Sequence, residues 1–108
     1  MTNERLKVFT GRLWNGLDDT LIEDGALAIR GDTVTFAGPR GALNMPAEAA
    51  ITETGGTLMP GLIDLHVHAR PWYLGWFLAA GVTTVRDAAN PALTWRRSKF
   101  CPTRVNAL

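Results

Sequence analysis

The hydrophobic and polar positions give the chain two textures. Over residues 1–57 the apolar runs are short and interleaved with polar positions. Leu6-Lys7-Val8-Phe9-Thr10 alternates as a strand with one buried face should. Trp14-Asn15-Gly16 and the polar Asp18-Asp19-Thr20 read as a turn. Ala26-Leu27-Ala28-Ile29-Arg30 and Thr33-Val34-Thr35-Phe36-Ala37 flank Gly31-Asp32, the pattern of a β-hairpin closed by a primed two-residue turn. Gly38-Pro39 ends that hairpin, and residues 40–50 predict a loop or a short helical turn. Ile51-Thr52-Glu53-Thr54 predicts a further strand that stops at Gly55-Gly56.

The texture changes at Thr57. Leu62-Ile63-Asp64-Leu65-His66-Val67-His68 is a nearly continuous apolar run, as expected of a parallel strand buried on both faces. Pro71 suits the first position of a helix, predicted over Trp72 to Ala80, with Tyr73, Trp76, Phe77 and Ala80 on one stripe. Aromatics at that spacing read as packing, with Trp72, Tyr73, Trp76 and Phe77 as a pocket lining the alternative. Gly81 closes the helix, and Val82-Thr83-Thr84-Val85 forms a second strand leading into Arg86-Asp87. Strand, helix, strand makes a βαβ unit with parallel strands. From Leu93 to Leu108 the sequence shows no apolar stripe and no strand that the sheet could use.

Composition changes this picture only at its edges. The chain has 108 residues, of which 46% are hydrophobic, which excludes whole-chain disorder. No apolar run approaches the roughly 18 residues of a membrane span, and MTNERLKVF does not read as a secretory signal. A lone cysteine, Cys101, permits no internal disulfide, so a reducing, cytoplasmic compartment is expected. A net charge of +1 removes the electrostatic argument for nucleic acid. The charge is uneven, however. Residues 1–87 carry all 10 acids against 7 bases, whereas residues 88–108 carry Arg96, Arg97, Lys99 and Arg104 and no acid. Such a basic run reads as a solvated tail or as a departure from the upstream sequence.

The candidate chemistry is concentrated in one strand. The two histidines of the chain are His66 and His68. On a regular strand Asp64, His66 and His68 share a face, with successive Cα atoms about 6.6 Å apart, while Leu65 and Val67 face the covering helix. Two neutral imidazoles so placed can converge on one divalent ion. The alternative is a pair of packed or surface histidines, and two ligands alone do not complete a catalytic zinc site.

Three ordered segments carry a resemblance. TLMPGLIDLHVHAR, Thr57 to Arg70, resembles the His-x-His signature of the metal-dependent amidohydrolase superfamily. DGALAIRGDTVTFAGP, Asp24 to Pro39, is similar to the hairpin of that family's small β-sandwich, and GVTTVRD, Gly81 to Asp87, to its second barrel strand. The resemblance implies an α/β fold with an N-terminal β piece: part of a composite β-sandwich over 1–57, the opening of an incomplete (β/α)8 barrel over 58–90, and a divergent basic tail over 91–108. It implies that His66 and His68 are metal ligands for a divalent cation, zinc being the expected ion. Asp64 is then expected to orient an imidazole through its other ring nitrogen. Asp87 is expected either to line the mouth of the barrel or to serve as a partner of Arg86 or as a helix N-cap. Arg70 is open between contact with an anionic substrate and simple solvation.

The activity implied is hydrolysis of carbon–nitrogen bonds other than peptide bonds in a small molecule, of the amide, cyclic amide or deamination type. A full barrel takes roughly 250 residues, and no position here matches the family's later ligands or its catalytic Asp. The chain alone is therefore expected to be inactive, and to self-associate through exposed strand edges. A different class of reading is a non-catalytic β-rich module that retains the fold's opening as a binding or assembly surface.

Overall fold

In the computed structural model, residues 5–88 and 104–107 are described. The chain divides into two units, Met1–Pro60 and Gly61–Leu108. In the first, four strands form one sheet: β1 (Lys7–Trp14), β2 (Leu21–Arg30), β3 (Thr33–Pro39) and β4 (Ala50–Leu58), in the order β3-β2-β1-β4. β1 pairs antiparallel with β2 and parallel with β4.

The hairpin β2–β3 forms where Gly31-Asp32 predicted it, with Arg30 opposite Thr33. Gly31 takes φ +62° and Asp32 stays out of the positive-φ region, the arrangement of a turn with glycine at its first central position. Alternation from Leu6 into β1 buries Leu6, Val8 and Thr10 while Lys7 is exposed. Leu6 and Val8 meet Ala26, Ala28 and Ala49, with Phe36, Leu43 and Met45 closing the cluster.

Three elements differ from expectation here: β1 runs on to Trp14, which was expected in a turn. β2 begins at Leu21 rather than near Ala26, because Leu13 and Trp14 of β1 pair with Ile22 and Leu21. β4 runs through Gly55-Gly56 to Leu58. The glycines do not stop the strand; they lie where its register against β1 shifts between Thr10 and Arg12, and Gly55 adopts φ +64°.

In the second unit, β5 (Leu62–Val67), β6 (Val82–Asp87) and β7 (Arg104–Ala107) form a parallel sheet in the order β5-β6-β7. β7 was not foreseen. It pairs with β6 from Thr84↔Arg104 to Asp87↔Ala107, so β6 is central and β5 and β7 are the edge strands among the described residues. The rest of the basic tail lies outside the described residues. Between β5 and β6, a 3-10 turn at Pro71–Tyr73 leads into α1 (Leu74–Ala79), and Gly81 follows with φ +81°.

Val67, Ala69, Leu74 and Val85 form the core of this unit, with Phe77 and Val82 against them. The buried side of the helix is thus Leu74 and Phe77. Trp76, expected on the packing stripe, is 75% exposed. Leu62, Ile63 and Leu65 are also exposed, although a strand covered on both faces was expected. One six-residue helix covers Val67 and Val85 and leaves Leu62, Ile63 and Leu65 of β5 bare. The structure is strand-rich with little helix. Among the described residues no helix is long and apolar enough to cross a membrane.

Candidate metal centre

The two histidines sit at the C-terminal end of β5, His66 within it and His68 one residue beyond. Both are exposed, and buried Val67 lies between them. Val67 anchors the backbone in the Leu74–Val85 core, so its neighbours on either side are turned outward. The imidazole rings lie side by side, with centroids 5.6 Å apart and planes tilted by 31°. Among the described residues, no third His, Cys, Asp or Glu joins them in a group able to hold a metal.

Asp64 is half-buried, and its Oδ1 accepts the backbone N–H of His66 at 3.1 Å. Its structural partner is the strand backbone, where an imidazole nitrogen was expected. The reason is a register irregularity: Asp64 pairs with Val85 and Val67 with Asp87, so three steps along β5 match two along β6. Strict alternation fails over this stretch. The same irregularity leaves Leu65 exposed instead of facing the helix.

Asp87 is 1% exposed and lies opposite Val67 in the ladder, with the N–H of the next residue, Ala88, donating to the Val67 carbonyl at 2.9 Å. Arg86 turns to the neighbouring strand, where its Nε donates to the carbonyl of Leu65 at 2.7 Å. Sequence reasoning treated Arg86 only as a possible partner of Asp87. An arginine following the apolar and threonine-rich run Val82-Thr83-Thr84-Val85 within one strand was the available signal. Arg70 Nη1 donates to the carbonyl of Ala69 at 3.0 Å. Trp72 is 76% exposed and meets Tyr73 edge-on at 6.1 Å, apart from the Leu74 core.

No family model matches the chain. Curated relatives do. Over 57 residues, 51% of this chain and 13% of the relative, it is 44% identical to a 5-methylthioadenosine/S-adenosylhomocysteine deaminase from Nitratidesulfovibrio vulgaris. It is 46% identical over 50 residues to an imidazolonepropionase from a Ruegeria species, covering 44% of this chain and 12% of that protein. Among solved structures, an amidohydrolase matches 77% of the chain with a TM-score of 0.60 and 26% identity, over 25% of its own length. The chain is related to the amidohydrolases. A Xaa-Pro dipeptidase structure shares the fold over 94% of the chain, at a TM-score of 0.74 and 18% identity, and the match spans 32% of that chain. The chain spans about an eighth of the length of the curated relatives it matches.

Proposed function

We propose that this chain is the N-terminal portion of a metal-dependent hydrolase acting on carbon–nitrogen bonds other than peptide bonds, and that His66 and His68 supply two of its metal ligands. The observation that carries the reading is the pair itself: two exposed imidazoles, 5.6 Å between ring centroids, at the C-terminal end of a parallel strand. Strand ends of this kind hold the chemistry in (β/α)8 barrels. The names of the curated relatives, a deaminase and an imidazolonepropionase, support the bond class.

The donor set fits a divalent ion in part. Imidazole suits zinc and similar cations, but a catalytic zinc usually takes three protein ligands. An ion held there would supply Lewis acidity, lowering the pKa of a coordinated water to about 7 and so providing a nucleophile at neutral pH. The contribution of this chain is to hold the two imidazoles side by side. Val67, seated in the core between them, keeps both histidines turned outward. The small-molecule substrate, the barrel completed by further strands and a cytoplasmic setting belong to the same proposal.

Calorimetric titration with zinc tests it. Weak binding is expected in the wild type and none in the His66→Ala/His68→Ala double variant. Heat of binding unchanged by the double substitution would remove the pair as ligands.

A further inference from the structure

The peptide group joining Leu65 to His66 is held at both ends by charged side chains. Its carbonyl accepts from Arg86 Nε at 2.7 Å, and its N–H donates to Asp64 Oδ1 at 3.1 Å. Both bonds fall inside the stretch where β5 and β6 lose register, between the Asp64↔Val85 and Val67↔Asp87 pairs. In a regular ladder a peptide in this position is oriented by neighbouring backbone. At an irregularity one residue is left out of the ladder, and the peptide plane is free to rotate unless something else fixes it.

Holding that plane at both ends fixes ψ of Leu65 and φ of His66, two of the torsions that set the backbone frame from which the Cα–Cβ bond of His66, and with it the imidazole, projects. With an acceptor oxygen at the N–H and a guanidinium donor at the carbonyl, the plane cannot turn without breaking a hydrogen bond at each end. The two arms also come from different strands, Asp64 from β5 and Arg86 from β6. The orientation of His66 is in this way referred to the central strand of the sheet.

We infer that Asp64 and Arg86 are positioning residues, which aim His66 at His68 by clamping the 65–66 peptide and not by touching the imidazole. This inference rests on the proposed role of the histidine pair in metal binding. It assigns Asp64 a task that only its acceptor oxygen is needed for, and gives Arg86 a task that has no counterpart in ligand binding. Groups that orient metal ligands typically change metal affinity by about 10–100-fold when removed.

The test uses the 108-residue chain and two readouts: the amide ¹H–¹⁵N resonance of His66 without metal, and zinc affinity by calorimetry. Asp64→Ala is expected to move the His66 amide resonance upfield and speed its exchange, and to weaken zinc binding about tenfold. Asp64→Asn keeps an acceptor oxygen, so both readouts are expected to stay near wild type, within about twofold. Arg86→Ala is expected to weaken zinc binding as Asp64→Ala does, and Arg86→Lys to restore it in part. If Asp64→Asn is as damaging as Asp64→Ala, the carboxylate charge acts on the imidazole or the ion, and the clamp is wrong. An unchanged His66 amide in Asp64→Ala also overturns it. If Asp64→Ala does not fold, the comparison of Asp64→Asn with Arg86→Ala decides on the same readouts. Should wild type bind no zinc, the metal reading fails, while the amide resonance still upholds or rejects the clamp.

Discussion

Gly11 stands so close to Thr54 that a β-carbon on the glycine would lie 2.5 Å from the threonine hydroxyl and 2.8 Å from the carbonyl of Gly56. The hydroxyl is not free to retreat, because it donates to the carbonyl of Thr10 at 2.9 Å. This crowding comes from the β1–β4 irregularity, where Glu53 opposes Thr10 but Thr57 opposes Arg12. Gly11→Ala is predicted to destabilise the chain by about 2 kcal/mol, in the range typical of overpacking. Gly55→Ala, by contrast, meets open space and suffers only from its φ of +64°, a cost of about 1 kcal/mol. Urea melts of the two variants should separate them in that order; equal midpoints would contradict the crowding argument.

Val8 is fully buried at the centre of the first unit's core. Val8→Ala removes two methyl groups that the surrounding alanines, Ala26, Ala28 and Ala49, are too short to replace. The expected loss is about 2 kcal/mol from transfer and cavity terms together. A denaturant midpoint within error of wild type would show that this core collapses around the gap.

Hydrolytic turnover by the chain alone is predicted to be absent. Two imidazoles are in place, but among the described residues no third ligand joins them. Purified chain with added zinc should not hydrolyse cyclic amides or deaminate aminated rings. Turnover that follows the metal and vanishes in His66→Ala would falsify this.

Self-association is predicted to run through β5. It is an edge strand among the described residues, and Ile63 and Leu65 are 64% and 61% exposed on it. An uncovered apolar edge strand invites pairing with another copy. Light scattering should report species larger than one chain, shifting toward monomer in Ile63→Lys. A monomer peak for wild type at high concentration would rule out the edge as an association site.

Local chemistry made part of this structure legible. The Gly31-Asp32 turn, the parallel relation of β5 and β6, and the adjacency of His66 and His68 all follow from short-range pattern. What escaped depends on a partner strand. Leu21-Ile22-Glu23-Asp24 has no alternation to mark it as a strand, and becomes one because β1 continues past Gly11 to pair with it. Gly55-Gly56 reads as a stop until β1 lies beside it. Arg104–Ala107 is four residues long and takes its strand character from β6. The register slip at Leu65-His66 is a property of two strands jointly. For that reason spacing drew one face for Asp64, His66 and His68, while the loss of alternation and the backbone role of Asp64 could not be read from it.

The parallel pairing of β1 with β4 also fixes an order in time. The β2–β3 hairpin is local and can close within microseconds of leaving a ribosome, as can its junction with β1. Thr10, buried and bonded to Thr54, must wait for a partner 44 residues downstream. At synthesis rates of about 5–20 residues per second, that is a wait of seconds. For that interval the nascent chain presents β1 as an open edge beside a finished hairpin. The most exposed moment in the life of this sheet thus comes before its fourth strand has been made.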